Sequence, residues 1–196
     1  KNNPLEFMNF NADLKIHDRD ITLAGFRGMA GKSDFEIDGE LQNAVACLFA
    51  PSSRMSADIR FYSRNIDVNE LLTNQAKEKT GDSSSSFPFP FNTCKLDLSI
   101  GNLKYKKFEA SRINGLMETK DHSIKSSGIT FNSMDGTVNL RGSVDVSTGS
   151  TSSVGDSLMI SCEAKIKKLD IKKLFDAFDN FGQNILLDKH IKGLVT

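Results

Sequence analysis

The 196 residues carry 25 Lys and Arg against 25 Asp and Glu, a formal net charge of zero with the charges interspersed, which excludes the basic footprint of a nucleic-acid binder and any acidic tail. The chain is long enough for a sizeable core, has 14 Phe, 4 Pro and no Trp, and contains no run approaching the ~18 apolar residues of a spanning helix. Cys47, Cys94 and Cys162, like His17, His122 and His190, are too far apart for the short ligand spacing of a metal site, so no metal or cofactor is expected and no disulfide is assigned.

In chain order, Phe10, Ala12, Leu14 and Ile16 alternate imperfectly with polar residues and predict a first strand. His17–Asp20 reads as a turn, Ile21–Phe26 as a short strand, and Gly31–Asp34 as another turn. Phe35, Ile37, Gly39 and Leu41 then alternate cleanly with Glu36, Asp38 and Glu40, the pattern of a half-buried strand. Ala44–Ala50 is an apolar run that suits either a helical turn or a buried connection, and it stops at Pro51. A strand through Met55, Ala57, Ile59 and Phe61 leads to a helix start with Asp67 as N-cap, Glu70 at N3 and Ile66 with Leu71 as a hydrophobic staple.

Gly81, Asp82 and four serines suggest a linker, and Phe87-Pro88-Phe89-Pro90-Phe91 is held extended by its prolines, at a sheet edge or outside the sheet. Leu96, Leu98 and Ile100 alternate, Gly101-Asn102 reads as a turn, and strands follow over 105–117, 124–131 and 138–146. After a Ser/Thr/Gly-rich loop, a strand over 158–167 feeds a second stapled helix, with Asp170 as N-cap, Leu169 and Leu174 as staple, and Gly182 as the left-handed stop about three turns later. Ile185–Leu187, a turn through His190 and a strand from Ile191 complete the chain, which reads as a piece trimmed in mid-element at Thr196, its N-terminal anchor or signal removed.

Setting residues 1–72 against 104–175, an offset of 103 without gaps, aligns these patterns. Phe35, Ile37, Gly39 and Leu41 fall on Val138, Leu140, Gly142 and Val144, and Ile66-Asp67-Val68 falls on Leu169-Asp170-Ile171. A one-residue slip would exchange the two faces of every strand, so agreement of parity is the informative feature. The expected fold is therefore mainly β with a few helices: repeated antiparallel strands forming a curved sheet or groove, each repeat ending in a short amphipathic helix. The boundaries are 1–80 for the first repeat, 81–95 for the linker and 96–196 for the second repeat with the start of a further strand.

No active site is legible. Gly155-Asp156-Ser157-Leu158 spells the signature of a serine hydrolase family, yet it opens a strand where that chemistry needs a turn into a helix, and Leu187 stands where His190 would need an aspartate. The carboxylates from Asp13 to Glu40 alternate as solvent faces of strands, and the glycines from Gly25 to Gly31 lack the Lys-Ser/Thr helix start of a phosphate loop. The residues singled out are instead Phe35, Ile37, Leu41, Val138, Leu140 and Val144, one apolar face that suits acyl chains or a closed side-chain core equally, with Asp67, Glu70 and Asp170 as structural caps.

The stretch Leu169-Asp170-Ile171, Leu174-Phe175, Phe178, Asn180-Phe181-Gly182-Gln183 and His190-Ile191-Lys192-Gly193 resembles the C-terminal region of bacterial AsmA-like proteins, and Ser63–Leu72 resembles the related strand-to-helix junction. The resemblance implies a non-enzymatic periplasmic module, held at the inner membrane by an anchor outside these residues, that serves outer-membrane biogenesis or lipid transport between membranes. Its implied partners are phospholipid or another lipid, neighbouring repeats of the parent chain and envelope proteins. A second expectation, from the residues themselves, is a structural spacer or protein-interaction module that uses exposed sheet edges.

Overall fold

The computed structural model describes residues 6–50, 53–75, 91–120, 123–147 and 157–196. Nine strands lie in one open sheet in strict chain order: β1 (Phe7–His17), β2 (Asp20–Ala30), β3 (Ser33–Gln42), β4 (Met55–Asp67), β5 (Phe91–Tyr105), β6 (Phe108–Lys120), β7 (Ser123–Ser133), β8 (Gly136–Ser147) and β9 (Ser157–Lys167). Three short helices sit at strand ends: α1 (Ala44–Phe49), α2 (Val68–Gln75) and α3 (Ile171–Ala177). A small ladder pairs β10 (Leu169–Asp170) with β11 (Leu194–Val195). The protein is thus mainly β, an open sheet and not a barrel, as the alternation predicts.

Every junction in the large sheet is antiparallel except β4–β5, which is parallel. A parallel pair needs a long crossover, and the chain from α2 to Phe91 supplies it. Both repeats therefore share one sheet, with β5 between them. β5 starts at Phe91, inside the segment 81–95 read as linker; the serines and Phe87–Pro90 lie outside the described residues.

The offset of 103 persists in the strand ends: β2 and β7 start at Asp20 and Ser123 and stop at Ala30 and Ser133, while β3 and β8 start at Ser33 and Gly136. It persists in the irregularities too. Register shifts between Met8 and Asn11 and between Leu23 and Phe26 recur between Ser111 and Asn114 and between Ser126 and Ile129. Left-handed Asn9 (φ 56°) has its counterpart in Arg112 (φ 51°). Each bulge adds one residue, so apolar parity switches from odd (Ile21, Leu23) to even (Phe26, Gly28) while the side chains stay on one face. That is why alternation in β1 and β2 looks imperfect when read along the sequence.

Two of the expectations that change concern where elements end. Gly101-Asn102 is not a turn: β5 runs through it, and the turn falls at Lys106-Lys107. Gly101 is there for close approach to β4, since a Cβ would stand 2.6 Å from the Arg64 carbonyl oxygen. The second helix ends at Ala177, well before Gly182, because Asp179, Asn180 and Phe181 are themselves left-handed. That reversal folds the Phe181 ring onto Phe175 (5.1 Å, edge-on) and Phe178 (5.6 Å, stacked), and aromatic contact replaces the missing helical turns. The Ala44–Ala50 run resolves as helix α1, with only Ala44 buried.

The core follows the same face. Leu98, Ile100, Ala110 and Ile113 are buried together, with Phe61, Ile66, Leu103, Phe108 and Phe131 packed around them. Leu169, the staple residue before α3, is 3% exposed, the lowest of the large apolar side chains described.

Candidate functional site

Residues directly opposite each other on neighbouring strands share a face, so the pairing registers define cross-strand rows. One row runs Phe26, Ile37, Phe61, Leu98, Gly115, Ile129, Leu140 and Ala164 from β2 to β9. The next runs Leu23, Gly39, Ile59, Leu96, Met117, Ser126, Gly142 and Cys162, and the third Ile21, Leu41, Ala57, Cys94, Thr119, Ile124, Val144 and Ile160. None of the three rows contains a charge.

The opposite face is built otherwise. Its matching row is Thr22, Glu40, Asp58, Lys95, Glu118, Lys125, Ser143 and Ser161, with charge alternating in sign from β4 to β7. A recess of about 830 Å³ lies on this side, lined by Asp58, Arg60, Lys95, Asp97 and Lys125 together with Leu96, Leu116 and Met117. Its compensated charges make it a solvated surface. On the apolar face a smaller recess of about 190 Å³ opens between Met117, Ile124, Leu140, Gly142, Ile160 and Cys162.

All six residues singled out from the sequence lie on the apolar face. Ile37 and Leu140 sit in the first row, Leu41 and Val144 in the third, and Phe35 and Val138 next to the α2 and α3 end, opposite Gly28 and Phe131. Val138 is buried and the other five are half-buried. Phe35 belongs to an aromatic group with Phe10 (5.9 Å) and Phe26 (5.7 Å), and Gly28 leaves room for it, since a Cβ there would stand 2.9 Å from two of the rings. The face also includes Phe26, Phe61, Leu98, Met117 and Ile129, which are not among the residues singled out from the sequence. The bulges mask Phe26 and Ile129, whereas Phe61 and Leu98 are legible in the alternation of their own strands and lack only the pairing that joins them to the face.

Among the described residues no second layer covers this face. α1 meets β2 and β4, α2 meets β5, and Phe178, the residue that follows α3, lies 5.7 Å from Phe108 at the sheet's end. At the margins large apolar side chains stand in the open, with Leu14 59%, Ile16 67% and Ile160 63% exposed.

The caps hold the helix end of the sheet. Asp170 accepts from the N–H groups of Lys172 (2.8 Å) and Lys173 (3.3 Å), as an N-cap should. Asp67 accepts from the Asn69 N–H (3.0 Å) and side-chain amide (2.9 Å). The Asn69 amide, working against burial and joined by backbone N–H groups of Asn69 and Glu70, holds the Asp67 carboxyl below the usual carboxylate range. The reciprocal half of the capping box differs from expectation: the Asp67 N–H goes to Ser33 Oγ (2.9 Å). The Glu70 carboxylate takes the Lys32 N–H (2.8 Å) and ammonium (3.1 Å), because the helix start docks on the β2–β3 turn, where a cation is within reach. Asp34 holds the last stretch of β4, accepting from Asn65 N–H (2.8 Å), Arg64 N–H (3.1 Å) and Arg64 Nε (3.0 Å).

Ser157 begins strand β9 and no helix follows it there, while His190 lies in a short 3-10 turn and accepts the Leu187 N–H through Nδ1 (3.3 Å). Among the described residues no His, Cys, Asp or Glu cluster could hold a metal ion, and no helix is long and apolar enough to cross a membrane. Cys47 and Cys94 are half-buried free thiols and Cys162 is an exposed one. No family model, no curated protein and no solved structure matches this chain.

Proposed function

We propose that this chain is a non-enzymatic lipid-handling module of the AsmA-like kind, periplasmic, acting in outer-membrane biogenesis or lipid transport between membranes. The observation that carries the reading is the run of three uncharged cross-strand rows over eight strands with no second layer on them among the described residues. An unpaired charge on such a path would cost several kcal/mol or more to desolvate, so a face meant for acyl chains must be free of charge, and this one is. The residue motifs at both strand-to-helix junctions supply the family to which the proposal is referred.

The test is native mass spectrometry with solvent extraction of the protein purified from a bacterial periplasm. Co-purifying phospholipid that is lost in Ile37→Asp or Leu140→Asp protein, each shown by circular dichroism to keep its sheet, is the expected result. A lipid-free mass for the wild-type protein would overturn it. The second reading, a spacer that binds protein through its sheet edges, draws on the open edges of β1 and β9.

A further inference from the structure

Among the described residues β9 ends the sheet, and its outer edge has no partner strand. Its counterpart in the first repeat, β4, has that same edge covered by β5 in a parallel ladder from Met55 to Asp67. The molecule thus contains, 103 residues earlier, an example of what this edge takes. We infer that the outer edge of β9 is a docking site for a strand parallel to it, and that the strand carries a basic residue opposite Glu163.

The charge assignment comes from one row. In the first repeat Asp38, Arg60 and Asp97 stand side by side on β3, β4 and β5, a cation between two anions. The equivalent positions of the second repeat are Arg141 on β8 and Glu163 on β9, opposite each other. Both signs are inverted, so the place corresponding to Asp97 calls for a cation. Lys165 lies 3.7 Å from Glu163 along the same strand, and the Glu163 side chain is still 61% exposed, open to a second cation. On the other face the incoming strand must be apolar where it meets Ile160, Cys162 and Ala164, which close the three uncharged rows. β11 already holds β10, so the docked strand ends short of Leu169. The same inversion keeps β5 of one molecule from occupying β9 of another, because Asp97 would meet Glu163. Recognition by strand addition takes its affinity from main-chain hydrogen bonds and its selectivity from such side-chain pairs.

The test uses Cys162. In the parallel register β5 sets Leu96 opposite Ile59, whose counterpart is Cys162, an exposed thiol. A peptide of the β5 sequence (residues 91–105) is made with Cys94→Ser and a thiopyridyl-activated Leu96→Cys, and a second peptide adds Asp97→Lys. In register, the Cys162 thiolate attacks the peptide sulfur, forms the mixed disulfide and expels thiopyridone, a step that needs no further oxidant. The lysine peptide is expected to couple to Cys162 roughly five-fold faster than the aspartate peptide, the effect of exchanging a like-charge cross-strand pair for an opposite one. With protein carrying Arg141→Asp and Glu163→Arg the preference should reverse. Equal coupling of the two peptides to wild-type protein, or coupling no faster than that of a scrambled peptide with the same activated cysteine, would overturn the proposal without bearing on whether the apolar face carries lipid.

Discussion

The two repeats share their apolar strand pattern and invert the charges of two pairs. Lys32 and Glu70 tie the β2–β3 turn to the first turn of α2. The equivalent pair, Asp135 and Lys173 at 2.6 Å, ties the β7–β8 turn to α3 with the signs exchanged. Arg60 and Glu163 are exchanged in the same way, each beside an opposite charge, Asp38 and Arg141. Shape in this sheet is set by parity and bulges, which both copies keep, whereas charge is free to invert so long as its partner inverts with it. The inversion has a use: α2 docked on the second repeat would set Glu70 against Asp135, and α3 on the first would set Lys173 against Lys32. Each helix is thereby matched to its own repeat.

The largest effect expected from breaking the comparison is at the paired glycines. A Cβ on Gly39 would stand 2.4 Å from the Asp58 carbonyl oxygen, and one on Gly142 2.3 Å from that of Ser161, backbone contacts that no side-chain motion relieves. Gly39→Ala and Gly142→Ala should each cost about 3 kcal/mol in urea unfolding. Gly128→Ala, whose Cβ would meet only the Asn139 side chain at 3.6 Å, should stay within about 0.5 kcal/mol. Unequal costs at Gly39 and Gly142 would show that the two copies do not share the local geometry.

A smaller effect separates the repeats where Asp34 grips Arg64 and Asn65 of β4. Asp34 holds this stretch in the first repeat, while the equivalent residue of the second is Thr137, and there Lys168 (φ 55°) breaks β9 from β10. Asp34→Ala should therefore cost about 2 kcal/mol, and Thr137→Ala much less. Burial works against the Asp34 charge, but the Asn65 N–H and the Arg64 side chain and N–H outweigh it and hold the carboxyl below its usual range. A carboxyl depressed on folding stabilises fully above its unfolded value, about pH 4, and loses that contribution as pH falls through the lower folded value. Acid titration of stability should accordingly be flatter in Asp34→Ala than in the wild type, and an unchanged profile would remove Asp34 from this role.

The smallest effect is at the exposed turn-to-helix pairs. Glu70→Lys should lower the urea midpoint slightly, Lys32→Glu added to it should restore the midpoint, and both changes should shrink in high salt. The sharper readout is specificity. With Lys32→Glu and Glu70→Lys together, both repeats carry the same polarity, and refolding at high protein concentration should yield more exchanged dimer on size-exclusion chromatography.

Apolar parity and both helix starts were legible in the sequence, because each depends on residues within one turn or one strand of one another, and the 103-residue period was legible because both copies keep those local patterns. Asp170 caps α3 and Leu169 is buried before it, as spacing alone requires. What only the tertiary structure decided are the features whose partners are distant in the chain. Gly101 has the composition of a turn, yet it serves the close passage of β5 along Arg64. Glu70 has the position of a capping-box residue and spends its carboxylate on Lys32, 38 residues away. The parallel junction that joins the repeats into one sheet, and the three uncharged rows it makes continuous, arise from pairing β4 with β5 across α2. A local pattern records which face of a strand is apolar; which strand lies beside it depends on the whole chain closing its ladders.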